Sequence, residues 1–238
     1  MHSLLLAVDT SGKNSSLALA RVTPGQLEID VLEVVPLAGG TFSAQLVPQM
    51  AALLERHGHT KNDLSAFAVA SGPGSFTGLR IGLAAIKALA EALHKPIAAI
   101  SLLEAVACSA ASRCRVRAVL DAGRGDVYVG DYEFDSTRTI ARMNSERLLS
   151  REDFIAEAKS TEGAANAIVV TDAALAEMFR GAAIASAIHV ELVEHPDSAL
   201  IARLGWEHLG RGQRVLPENL EANYLRHSDA EIFSKPKV

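Results

Sequence analysis

Cysteine is nearly missing: Cys108 and Cys114 are the only two in 238 residues. Their C-x5-C spacing fits neither a paired zinc site nor a C-x-x-C redox motif, and two lone thiols point to a reducing cytoplasm. Long apolar runs are also lacking. No stretch approaches the ~18 residues of a membrane helix. The opening "MHSLLLAVDT" has only Leu4 to Val8 as an apolar run, with no Lys or Arg before it and Asp9 closing it, which does not fit a secretory leader. Charge of one sign is nowhere concentrated. Lys and Arg number 23 against 28 Asp and Glu, a net charge of −5, so the chain alone is not expected to wrap a polyanion, because counterion release needs clustered cations. The eight histidines include no H-x-x-x-H or H-E-x-x-H pair, which leaves a helix-borne metal site without ligands. His57-Gly-His59 straddles a helix end and reads as a solvated C-terminal cap.

What is present is the composition of an ordered globular chain, 49% hydrophobic and 21% charged. Leu4 to Val8 and "SSLALARV" read as a strand hairpin around the turn "DTSGKN", with a third strand over 29–35. Ser43 can cap a helix running to about His57, whose start or course Pro48 should disturb. "LSAFAVASGPG" is a strand entering a glycine loop, followed by a helix from Gly78 to about His94, a strand at "PIAAIS" and a helix at "LLEAVACSAA". After "SRCRVR" the pattern restarts: "RAVLDAG" and "DVYVGDYEF" are strands around Arg124-Gly125-Asp126, which reads as a tight turn rather than an adhesion signal. Helices follow near 150–159 and 172–179, and strands at "AIVVTD" and "IHVEL". A last helix at 198–209 could pack back on the first half. This is an α/β chain of two lobes, 1–111 and 112–238, each a mixed sheet with helices.

The stretch "SGPGSFTGLRIGLAAIKALA" invites a phosphate-binding reading. A P-loop would need G-x-x-x-x-G-K-[ST], and Gly78 is followed by Leu79 and Arg80; a dinucleotide fingerprint fails at Thr77. A nucleophile elbow fails because Pro73 and Thr77 stand where glycines should flank Ser75. The helix N-terminus could still attract an anion, but the plainer reading is that glycines let the chain turn sharply and the helix pack closely. Asp9, after the first strand, is placed as an active-site carboxylate would be, and equally as a turn former.

On the glycine-loop helix, Arg80, Lys87, Glu91 and His94 fall in one stripe about 60° wide, leaving most of the surface apolar. Leu79, Leu83, Ile86, Leu89 and Leu93 lie on one side and should fill the lobe core. Ile81, Ala84, Ala85, Ala88 and Ala92 lie on another, where small side chains allow a second helix close approach. In the preceding helix the stripe of Leu46, Val47, Met50, Ala51, Leu53 and Leu54 is wider than one buried face requires. Surplus apolar surface on two helices gives a candidate interface at Leu46, Met50, Leu53, Ile81, Ala84, Ala85, Ala88 and Ala92. The alternative is that the two helices bury one another.

With these residues in hand, the chain closely resembles the bacterial TsaB (YeaZ) family over nearly its whole length. The motif residues are Asp9 in "LLLAVDTSGKNSSLALA", then Gly72, Pro73, Gly74, Ser75, Phe76, Thr77 and Gly78, with Arg80 and Gly82 inside the following helix. "VLDAGRGDVYV" and "YLR" at 224–226 support it. The resemblance implies the two-lobed fold of the actin, Hsp70 and sugar-kinase superfamily, with a βββαβα core in the first lobe. It implies a non-catalytic, cofactor-free and metal-free subunit that pairs with a TsaD-type transferase, which makes N6-threonylcarbamoyladenosine at position 37 of tRNAs reading ANN codons. A TsaE-type ATPase belongs to the same complex, and tRNA would be met through the complex. Whether the isolated chain forms a homodimer stays open. Departures from the family pattern are Phe42 ahead of Ser43, Gly123 after Asp-Ala, and Ala222-Asn223 before Tyr-Leu-Arg. The competing reading is an ATP-dependent kinase or metalloprotease-like member of the superfamily, with Asp9 as base or metal anchor.

Overall fold

Strict alternation along the first strands furnishes the two faces of a sheet differently. In the computed structural model, which describes residues 3–38, 42–111, 115–134, 141–160, 167–182 and 188–226, β1 (Ser3–Asp9) turns Leu4, Leu6 and Val8 to one side and Leu5 and Ala7 to the other. Cys114 lies outside the described residues. β2 (Ser16–Val22) and β4 (Leu64–Gly72) repeat the pattern: Leu17, Leu19, Phe67 and Val69 join the large-residue face, while Ala18, Ala20, Ala66, Ala68 and Ala70 join the small one. With β3 (Asp30–Pro36) and β5 (Ile97–Ser101) they form a sheet of order β3-β2-β1-β4-β5, antiparallel from β3 to β1 and parallel from β1 to β5.

The large face is covered by α1 (Phe42–Arg56) and α2 (Phe76–Leu93). Pro48 does not delay α1, which begins six residues ahead of it. The alanine face is covered by α6 (Ser198–Gly210), whose Ile201, Ala202 and Leu204 pack against it. Small sheet residues permit a close approach: a Cβ on Gly205 would lie 2.4 Å from Ala68 Cβ.

The second sheet has order β10-β9-β6-β7-β8, from β6 (Arg115–Gly123), β7 (Asp126–Phe134), β8 (Ala141–Ser150), β9 (Ala167–Val170) and β10 (His189–Leu192). Its pairing repeats that of the first sheet, with β6, β7 and β8 in place of β1, β2 and β3. One face is covered by α3 (Leu102–Cys108), the other by α4 (Arg151–Ser160) and α5 (Ala173–Gly181). Each lobe therefore lends its last helix to the other sheet, α3 forward and α6 back.

Strand β8 is absent from the sequence reading. Its "ARMNSERLLS" is too polar to look like a strand, yet its charges are matched in space. Arg147 pairs with Asp131 and, at 2.6 Å, with Glu157, while the buried Arg117 joins Asp131 at 2.8 Å. Glu146, facing the other way, accepts from Ser101 Oγ at 2.5 Å and from Tyr132 and Asn223.

Candidate functional site

Gly74 stands just ahead of the Ser75 cap of α2, and Gly78 and Gly82, four residues apart, share one face of that helix. That face presses on the β1–β2 turn. A Cβ at these positions would stand 2.4 Å from Ser11 O, 2.0 Å from Thr10 O and 2.2 Å from Thr10 Oγ1, distances no side chain can occupy. The glycines make room for hydrogen bonds instead. Ser75 N–H donates to Ser11 O at 2.6 Å, and Thr10 Oγ1 donates to Gly78 O at 2.7 Å. Ser75 caps α2, its hydroxyl accepting from Gly78 N–H at 3.3 Å. Backbone N–H groups that a phosphate cradle would need at Ser75 and Gly78 are thus engaged by the protein itself. The close packing expected of these glycines from the sequence is what the structure shows.

Asp9 completes this joint from below. Its carboxylate is fully buried at the end of β1, with Oδ1 accepting from Ser11 N–H at 2.7 Å. Oδ2 finds no partner among the described residues. Burial pushes the Asp9 carboxyl above its ordinary value, opposed by the Ser11 hydrogen bonds and the nearby His195 charge. A cleft of about 530 Å³ opens between the lobes, lined by Lys13, Ser75, Asp121, Asp172 and His195 among others, but Asp9 is not on its wall. The Asp9 carboxylate holds the β1–β2 turn. Among the described residues, no three His, Cys, Asp or Glu side chains converge as metal ligands would.

The helices above the joint divide differently from expectation. Leu46, Met50 and Leu53 are 1%, 3% and 0% exposed, packed with Leu6, Phe67 and Ile86 in the lobe core. They cannot meet a partner, which corrects their assignment to the interface: α1 leans its widest apolar side on the sheet and on α2. What it leaves outside is Val47, 56% exposed, with Ala44 and Ala51. On α2, Leu79, Leu83 and Ile86 are buried, and Leu89 and Leu93 are half-buried against the same core. Ala84, Ala88 and Ala92 are exposed; Ile81 and Ala85 are half-buried beside them. Lys87 and Glu91 border the Ala84–Ala88–Ala92 stripe on one side, while Arg80 turns toward the C-terminal segment.

That turn of Arg80 joins distant parts of the chain. Its guanidinium lies 3.7 Å over the Phe76 ring and its Nε donates to Tyr224 Oη at 3.0 Å; the Phe76 and Tyr224 rings stand 5.0 Å apart. Arg226, two residues on, bonds Asp126 at 2.5 Å in the Arg124-Gly125-Asp126 turn, which does connect β6 to β7. His57 is not a solvated cap: its Nε2 meets Glu33 Oε2 at 2.8 Å, and Arg56 holds the other oxygen at 2.7 Å. Those two contacts hold the Glu33 carboxyl below the usual carboxylate range. No helix among the described residues is long and apolar enough to cross a membrane.

Residues 34–183 match the family described as TsaD, tRNA N6-adenosine threonylcarbamoyltransferase. The tRNA threonylcarbamoyladenosine biosynthesis protein TsaB of Bacillus subtilis is 35% identical over 131 residues, 55% of this chain and 55% of that protein. The Escherichia coli protein of the same name is 29% identical over 151 residues, 62% of this chain and 63% of its own length. The matched stretch is therefore less than two thirds of either relative. In structure, YeaZ from Pseudomonas aeruginosa superposes with a TM-score of 0.71 at 25% identity, over 94% of this chain and 100% of that one.

Proposed function

The chain belongs to the family matched over residues 34–183, as a TsaB (YeaZ) protein of tRNA threonylcarbamoyladenosine biosynthesis, and on that premise we propose that it is a non-catalytic subunit rather than the transferase itself. Its work is to dock a TsaD-type transferase in the cytoplasm, through the outer face of α2. The observation that carries this reading is the Ala84–Ala88–Ala92 stripe, exposed along a helix whose opposite face is fully engaged in the core. Alanines let a partner helix approach to the short end of the usual 8–10 Å interaxial range. Val47 and Ala51 of α1 extend the surface, and Ile81 and Ala85 border it.

The family name invites the opposite reading, that this chain performs the transfer. Against it stand the self-satisfied glycine loop and the buried, turn-holding Asp9, which withhold the loop amides and the Asp9 carboxylate from the interlobe cleft. Isolated chain should bind ATP poorly in calorimetry. The TsaE-type ATPase and tRNA meet the chain as members of the assembly, and a homodimer on the same α2 face competes when the transferase is missing.

Reconstitution tests the proposal. Purified transferase, ATPase and threonylcarbamoyl-adenylate should modify tRNA efficiently only when this chain is added. Modification by this chain without the transferase, or undiminished modification without this chain, would overturn it.

A further inference from the structure

The structure points to a second surface, distinct from the α2 alanine stripe: we propose that the groove between the α2 N-terminus, the β6–β7 turn and the 222–226 segment holds an unpaired RNA nucleotide. The groove has a volume of about 420 Å³ and is walled on one side by the Phe76 and Tyr224 rings, 37% and 41% exposed. Arg124, Arg226 and Tyr128 line it as well. Large exposed aromatics are uncommon in a chain with only 5% aromatic residues, and here two from positions 148 residues apart are brought to 5.0 Å.

Their setting fits a base rather than an apolar peptide. Arg80 lies over Phe76 and bonds the Tyr224 hydroxyl without lining the groove, so it fixes both rings from outside. Preset aromatic faces of this kind stack any nucleobase. Asp126 and the Gly123 carbonyl hold the Arg226 guanidinium in place. Arg124 and Arg226 both line the groove, guanidinium groups on the scale of one phosphate rather than of a wrapped strand. The groove thus adds a stacking contact and one phosphate contact to RNA held mainly elsewhere, in keeping with the acidic balance of the whole chain. The inference takes RNA as the pathway's substrate from the family, and does not depend on the subunit role.

The test is fluorescence anisotropy of the full chain with a fluorescein-labelled hexaadenylate RNA at low salt. Weak, saturable binding is expected, with a log–log salt slope of about −0.7, the value for one phosphate of a single strand. Tyr224→Ala and Phe76→Ala should each weaken it about five-fold or more, Tyr224→Phe should retain it, and Arg226→Ala should flatten the salt slope. Circular dichroism melts confirm that the variants fold; Tyr224→Ala, outside any helix, decides the matter if Phe76→Ala does not. No binding at all, or binding indifferent to Tyr224→Ala, overturns the proposal. So does equal competition by free ATP, which would make the groove a mononucleotide site. Loss of transferase association in Tyr224→Ala with RNA binding unchanged would make it a protein contact and overturn it too. Gel filtration with the transferase reads the subunit role separately on the same variants.

Discussion

The two lobes are built on the same sheet and differ in what is done at the turn after the first strand. In the first lobe the β1–β2 turn is gripped by Gly74 and by two glycines of the 18-residue helix that follows it, with Asp9 buried beneath. In the second lobe the equivalent β6–β7 turn stands open: a Cβ on Gly123 or Gly125 would meet nothing within 4 Å, and the corresponding helix α5 has only 9 residues. The long, gripped helix of the first lobe is rigidly seated and still has a face to spare. The short one of the second lobe spends its apolar residues Leu175, Ala176 and Phe179 on its own core. A shared topology thus yields one lobe specialised for presenting a surface.

Breaking the seating of α2 should have the largest effect. Ile86 is fully buried against the sheet, and Ile86→Ala is expected to cost about 2–5 kcal/mol through lost burial and a cavity. Denaturant titration measures it. Next comes Gly78→Ala, which drives a methyl into Thr10 O and should cost about 1–3 kcal/mol despite the better helix propensity of alanine. The matching change in the second lobe, Gly125→Ala, meets open space, and only its positive φ of 85° is strained, at about 1–2 kcal/mol at most. If Gly125→Ala proved the more damaging of the two, the contrast between the turns would be lost.

The buried Asp9 and the half-buried Asp131 sharpen the comparison by opposite signs. Burial raises Asp9, so the folded state holds its proton more tightly than the unfolded chain does. Its contribution to stability is therefore greatest at acid pH and declines as pH rises from the unfolded value through the folded one. Asp131 is desolvated as well, but the Arg147 and Arg117 guanidinium groups outweigh that and lower it. Its contribution is present above the unfolded value and is lost as pH falls through the folded one. Asp9→Asn should accordingly gain stability relative to the parent chain at pH 7, and Asp131→Asn should lose it and flatten the acid limb. Thermal melts from pH 3 to 8 on both variants would show the two trends crossing.

How far the sequence carried this account follows the range of its interactions. Strand alternation in β1, β2 and β4 and the size-sorted faces of α2 are local patterns, and they placed the first sheet and its helix within a few residues. Strand β8 escaped because its Arg147 finds its partners in space, in Asp131 of β7 and Glu157 of α4. The burial of Leu46, Met50 and Leu53 is not legible because a wide apolar stripe does not say which part of it the sheet will claim. The Phe76–Tyr224 pair, joined across most of the chain by Arg80, had no local signal at all.

The smallest expected effect on the fold accompanies the most direct test of the surface. Ala88 is exposed in the middle of the α2 stripe, so Ala88→Arg should leave the stability of the isolated chain within about 0.5 kcal/mol. In an interface the same side chain would force a charge between closely packed helices. Size-exclusion chromatography with light scattering, on parent and variant mixed with the TsaD-type transferase, measures this. The account predicts a co-eluting heterodimer for the parent chain and separate elution for Ala88→Arg, with unchanged melting. Co-elution of Ala88→Arg with the transferase would contradict it, as would a variant that melts as early as Ile86→Ala.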